Sequence, residues 1–175
     1  GNAEALAAWL ESNGGASASD VCGDVVWSNN YEALSDDCGE TGSATIEFTA
    51  TDDCGNMSTT SATFTIEDTT NPMLDTTAKD AVVECDGEGN LVEYQAWLDA
   101  NAEASASDSC GDVTWSYEVV VDEAGCGATN VYEVVFTATD DCGNSESTKG
   151  IFTIQDTTDP SIDTEAMDMT VECDG

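Results

Sequence analysis

The sequence predicts an all-β protein built of tandem units, each with one short inserted helix and two disulfides. Three observations carry this reading. The chain repeats with a period of 88 residues and no insertion or deletion: Trp9 returns as Trp97, Trp27 as Trp115, Phe48 as Phe136, Phe64 as Phe152 and Pro72 as Pro160. All four cysteines of the first copy recur, Cys22, Cys38, Cys54 and Cys85 becoming Cys110, Cys126, Cys142 and Cys173. Apolar residues alternate with polar ones in runs, the period of a strand with one buried face. A fixed period marks an array of like units, and what an array offers is reach, stiffness and surface display.

Each copy reads the same way. Residues 91–101 place Leu91, Tyr94, Trp97 and Leu98 on one helical face, and residues 3–12 do the same with Leu6, Trp9 and Leu10. A helix this short is marginal alone and depends on packing. A turn-rich link follows (ASASDSCGD, or ASASDVCGD in the first copy). A strand is expected over 112–121, a turn at 122–127, and a second strand over 129–139 with Tyr132, Val134, Phe136 and Ala138 inward. The DDCGNS turn at 140–145 suits Gly and Asn, which tolerate positive φ. A third strand, 148–155, carries Phe152 and Ile154, and a new first strand is expected from Ile162 into the closing VECDG.

Proline after a polar turn cluster stops a strand, so the boundaries fall at 68–72 and 156–160. The expected domains are 1–70, a repeat lacking its first strand; 71–158, a complete repeat; and 159–175, the first strand of a next repeat.

Four cysteines per unit allow three pairings, and reach selects among them. Cys126 and Cys142 flank a strand of about eleven residues, which spans on the order of 35 Å, whereas a disulfide needs Cα atoms within ~7 Å. Cys110 and Cys126 fail similarly. Cys110 and Cys142 are equidistant from the hairpin turn and meet at its open end, leaving Cys85 for Cys126 at the other. The expected bonds are therefore Cys110–Cys142 and Cys85–Cys126, with Cys22–Cys54 in the first copy. Cys38 and Cys173 are left as complementary partners for an inter-repeat bond, within a longer tandem chain or between strand-donating subunits.

Composition limits the partners. The chain holds 37 acidic residues, no His, and only Lys79 and Lys149 as cations, for a formal charge of −35. Nothing is present to neutralise phosphates, which excludes nucleic acid, and an anionic membrane surface is disfavoured for the same reason. So much like charge strains a compact state; a bound divalent cation would offset it. Eight cysteines in an acidic, polar chain point to an oxidising compartment. Structural zinc is ruled against by the lack of His and of any Cys-x-x-Cys pair. No run approaches a membrane span, and no signal peptide is seen in a chain that opens mid-repeat.

The acidic residues gather in the turns. The expected topology brings Asp108, Asp112, Asp140, Asp141 and Asn144 to one end of the complete repeat, where the linker adds Asp68, Asn71 and Asp75. Their first-copy equivalents are Asp20, Asp24, Asp52, Asp53 and Asn56. Ca²⁺ takes six to eight oxygens from such groups, so these are the expected ligands of a junction calcium; the bland alternative is a good turn beside a solvated linker. Trp27 and Trp115 follow a cysteine by five residues and are read as core near a disulfide; the alternative is a sugar-stacking platform.

The run FTATDDCGNSESTKGIFTIQDTTDPSID (136–163), echoed at 48–75, resembles the hyalin-repeat type of immunoglobulin-like domain, with its TATD-x-x-GN segment and DTT-x-P junction. The elements VECDG, AWL and DSCGDV resemble tandem repeats of large bacterial secreted and cell-surface proteins. The resemblance implies an immunoglobulin-like β-sandwich in extracellular, adhesion-related arrays. The cysteines depart from the family, since none lies in 60–66 or 148–154, and no pairing is taken from it.

Asn56-Met57-Ser58 fits the N-glycan acceptor pattern, and the Asp-Thr-Thr runs resemble an O-glycosylation acceptor that would modify Thr69, Thr76 and Thr157. No nucleophile has a partner base and no glycine loop cradles phosphate, so no enzyme is expected. The composite reading is a structural module of an extracellular bacterial fibre or adhesin stalk, stiffened by disulfides and Ca²⁺, with neighbouring copies end to end as partners and surface glycans as a second class. The alternative is a carbohydrate-binding module of a secreted protein, which would display its aromatic side chains.

Overall fold

A computed structural model describes residues 2–173. It is mostly β, with two short helices. Helix α1 (Asn2–Glu11) precedes strands β1 (Val25–Asn29), β2 (Gly42–Asp52) and β3 (Met57–Ile66). There follow β4 (Met73–Thr76), β5 (Ala81–Glu84), helix α2 (Leu91–Asp99), β6 (Ser105–Ser107), β7 (Val113–Ala124), β8 (Asn130–Asp140) and β9 (Ser145–Gln155). They form a sheet ordered β1-β2-β3, a small sheet β4-β6, and a sheet ordered β5-β9-β8-β7. The β2–β3 and β8–β9 hairpins start 88 residues apart.

The alternation in β8 does what strand geometry requires: Val134, Phe136 and Ala138 are fully buried. Helix α2 closes this core with Leu98, and Tyr94 and Trp97 pack against it. Trp97 meets Phe136 edge-on at 5.3 Å and Tyr94 stacks on Tyr132 at 4.3 Å, geometries that suit the aromatic quadrupole. The Trp97 indole Nε1 donates to the Lys79 carbonyl at 2.9 Å, tying the helix to the chain entering β5. In the first copy α1 places Trp9 against Phe48 and Phe64 in the same manner.

Several expectations are corrected. The first-copy counterpart of β7 stops at Asn29, because Asn29 Oδ1 accepts the Tyr31 N–H and Asn30 Oδ1 accepts the Glu47 N–H. Short amides that satisfy backbone donors locally compete with a ladder. In the second copy, valines at 119–121 carry β7 onward through a bulge. The link at 105–107 is not only turn, since it pairs with β4. The strand expected from Ile162 onward is absent among the described residues: 156–173 form no strand and are exposed, with Ile162, Met167, Met169 and Val171 between 72% and 91% accessible. A strand needs a neighbour to pair its backbone groups, and none is there. Gly1, Asp174 and Gly175 lie outside the described residues, and with them the end of that expected strand.

Candidate functional site

The two copies meet where the hairpin-turn end of the first touches the open end of the second. Pairing Gly42 with Ile66 puts the 36–41 turn and the linker at one end of the first copy. Pairing Val113 with Asp140 puts the Cys110 and Cys142 loops at one end of the second. Several contacts join these ends. Cys38 and Cys142 form a disulfide with Cα atoms 5.1 Å apart, across 104 residues. The Glu40 N–H donates to the Cys110 carbonyl at 2.7 Å. The Asn144 side-chain amide donates to the Asp68 carbonyl at 3.2 Å. Gly39, at φ +53°, allows the close approach: a Cβ there would collide with the Cys110 carbonyl oxygen.

This corrects the disulfide scheme. One disulfide is formed among the described residues, not two per repeat, and Cys142 bonds Cys38 rather than Cys110. The strand geometry behind the expected pairing does hold, since Asp112 N–H donates to Asp141 Oδ2 and brackets Cys110 and Cys142 at one end. The neighbouring copy's turn arrives at the same place and supplies the competing sulfur. Cys38 is thereby also withdrawn from the expected bond with Cys173. Cys22 and Cys54 line one cleft with Asp20 and Asp53 but are thiols. Cys85 and Cys126 reach the same end of the second copy, beyond the Asn130–Ile154 pairing, and are thiols too.

The expected calcium ligands divide into two groups. Asp68, Asp108 and Cys110 each bring a ligand atom within 4.8 Å of the others, and all three residues are half-buried. Asp68 Oδ1 accepts the Thr70 N–H and Asp108 Oδ1 the Cys110 N–H, and the second oxygen of each has no donor among the described residues. Asn71 and Asp108 line one cleft beside them. The two carboxylates are hard donors of the kind Ca²⁺ takes and the thiol is not, so the pair fits part of a calcium shell.

Of the remaining acids, Asp140 and Asp52 are clamped in turns on both oxygens, and the others are engaged through one oxygen or through the backbone. Asp140 accepts the Cys142 and Asn144 N–H groups on Oδ1 and the Asn144 amide on Oδ2. Burial raises its pKa, but these bonds, the Asn144 amide foremost, outweigh it and hold the carboxyl below its ordinary value. Asp52 clamps Cys54 and Asn56 in the same way and is likewise lowered, chiefly by the Asn56 side chain. Asp141 and Asp53 take the Asp112 and Asp24 N–H groups, Asp20 takes the Cys22 N–H, and Asp75 takes the Ser107 hydroxyl. Sequence reasoning treated all of these as ligands; for Asp140 and Asp52 the Asp-x-x-x-Asn spacing of a turn clamp is the signal that distinguishes them.

The candidate glycan sites differ in access. Thr69 is exposed. The Thr76 hydroxyl bonds the Glu103 carbonyl and the Ser105 hydroxyl, and the Thr157 hydroxyl bonds Glu84. Asn56 is exposed, with its amide held by Asp52. All four tryptophans are half-buried. No helix among the described residues is long and apolar enough to cross a membrane.

The sequence matches no protein-family model and no curated protein. Among solved structures the chain is similar to the crystal structure of the protocadherin gammaB4 extracellular domain, at 11% identity and a TM-score of 0.27. The match covers 75% of this chain and 28% of that one.

Proposed function

We propose that the chain is a structural module of an extracellular fibre or adhesin stalk, whose units stack end to end as immunoglobulin-like repeats of the hyalin type. The units are 1–70 and 71–158, and 159–175 is the segment that would open a next unit. The observation that supports this best is the contact between unlike ends, where the Cys38 turn of one copy is bonded to the Cys142 loop of the next. A bond across 104 residues removes much chain entropy from the unfolded state and stabilises by about 2–5 kcal/mol. It also fixes the angle between units, which is what stiffens a stalk.

Ca²⁺ at the same junction, held by Asp68 and Asp108 with water completing its shell, would relieve the repulsion between carboxylates brought within 4.8 Å. The molecule works mechanically and catalyses no reaction. Its setting is oxidising and extracellular, on a bacterial cell surface, with exposed Thr69 available for glycosylation.

The test is calorimetry with and without calcium on the native chain and on Asp68→Asn with Asp108→Asn, alongside peptide mapping of the disulfides. Calcium should raise the melting temperature of the native chain and not of the double variant, and mapping should recover a Cys38–Cys142 peptide. Equal melting curves would end the calcium reading; a Cys110–Cys142 peptide would end the stapled junction.

A further inference from the structure

Three cysteines meet at the junction, and two of them are bonded. Cys38 and Cys142 form the disulfide, while Cys110 is a half-buried thiol. The turn that carries Cys38 sits directly on Cys110. The Glu40 N–H donates to the Cys110 carbonyl at 2.7 Å, and a Cβ on Gly39 would collide with the same oxygen. The loop that carries Cys142 touches the same stretch. Asp112 N–H donates to Asp141 Oδ2 at 3.0 Å, and a Cβ on Gly111 would collide with that oxygen. Cys110 is thus in contact, through its backbone or its next neighbour, with both segments that hold the disulfide.

The meeting of the two loops is a property of the unit itself. The first copy repeats it: Asp24 N–H donates to Asp53 Oδ2, Gly23 packs against the same carboxylate, and Cys22 and Cys54 line one cleft as thiols. No turn is docked on those loops among the described residues, so they come together without one. In the second copy Cys142 therefore has two sulfurs to choose from, one brought by the neighbouring unit's turn and one held by its own unit. Hydroxyls attend both. Thr41 Oγ1, on a buried residue, lies 3.3 Å from the Cys38 sulfur and 4.0 Å from that of Cys142, and the Ser109 hydroxyl lies 3.7 Å from the Cys110 sulfur.

We propose that Cys110 is an exchange thiol that opens and closes the junction. The Cys110 sulfur attacks the Cys142 sulfur, a Cys110–Cys142 bond forms and the Cys38–Cys142 bond breaks. The Cys110 proton passes to solvent, and the departing Cys38 sulfur takes one up, with the Thr41 hydroxyl beside it as a hydrogen-bond partner. One disulfide and one thiol stand on each side of the step, so no oxidant or reductant is consumed. The joint then has two states. In one the units are bonded to each other; in the other the second unit is bonded across its own loops and the 36–41 turn can withdraw. The seated turn favours the first, because the Glu40 bond and the close approach at Gly39 hold Cys38 in place. Whatever lifts the turn favours the second. The inference rests on the stacked-module reading and adds to it a joint that opens without reduction.

The experiment uses the full chain with Cys38, Cys110 and Cys142 kept and the other five of its eight cysteines replaced by Ser, in oxygen-free buffer without added thiol. Samples in rising urea are quenched in acid, thiols are alkylated and peptides are mapped, with circular dichroism marking the unfolding transition. In buffer alone the map should show Cys38–Cys142 with the label on Cys110. Below the transition, label should appear on Cys38 and vanish from Cys110 one for one, with total thiol constant. Cys110→Ser should leave Cys38 unlabelled throughout. Gly39→Ala, which drives a methyl group into the Cys110 carbonyl, should raise the ratio of Cys110–Cys142 to Cys38–Cys142 roughly tenfold or more without urea; circular dichroism reports whether it folds. A swap seen only past the unfolding transition, or a folded Gly39→Ala variant that keeps Cys38–Cys142 unmoved, overturns the exchange and leaves the bonded junction standing. A chain that yields Cys110–Cys142 alone in buffer overturns the bonded junction, and the exchange with it.

Discussion

Two copies of one motif sit in a single chain, and they are not equally finished. In the second, Phe136 and Phe152 are sealed beneath α2 and beside β5. In the first, Phe48 is sealed but Phe64 is half-buried, and β3 pairs only with β2 among the described residues. Pro72 is buried, while Pro160 is exposed. Identical residues at identical positions therefore differ in burial because of what lies across the sheet edge, not because of their own strand. The lesson is that β5 completes the core of the second copy, and the first has no counterpart to it among the described residues.

Truncation sharpens the comparison most. Phe152→Ala should destabilise by about 3–5 kcal/mol, the range for a sealed aromatic residue, and Phe64→Ala by clearly less, both read from chemical denaturation. Equal losses would mean that the half-burial of Phe64 has no energetic meaning. Next comes the indole bond. Trp97→Phe should cost about 1 kcal/mol beyond Trp9→Phe, since it removes a hydrogen bond to the Lys79 carbonyl that Trp9 lacks.

The smallest contrast is in acid. Asp140 and Asp52 both have lowered folded-state pKa values. Each therefore contributes stability above the ordinary carboxylate range, lost as pH falls below about 4 and through the folded value. Asp140→Asn and Asp52→Asn should each flatten the acid limb of the stability–pH curve, since each removes a carboxylate held below its ordinary value by its turn's Asn. A limb unchanged in both variants would remove the turn clamps from the account.

Much of this was legible beforehand, and the reasons are local. The β8–β9 hairpin, α2 and the polar turns follow from alternation, helical spacing and Asp-Cys-Gly-Asn chemistry. The meeting of the Cys110 and Cys142 loops follows from strand length alone. That the linker brings Asp68 to Asp108 and that Cys38 bonds outside its own copy were legible from the period. What could not be read was the partner of Cys38, because strand reach pairs Cys142 within its own unit and says nothing of a turn arriving from the neighbour. The shortened β1 was hidden for another reason: Asn29 and Asn30 occupy strand positions by spacing but spend their side chains on backbone donors.

The two lysines also have a consequence. Lys79 pairs with Glu103 at 2.5 Å and Lys149 with Glu133 at 2.6 Å, both within the second copy. Residues 1–70 hold no Lys, Arg or His. Charge along a string of such bodies would thus be uncompensated and banded, and it is screened only beyond ~8 Å at physiological ionic strength. Adjacent threads would repel sideways while joining tip to base, a polarity that favours long separate strands over bundles.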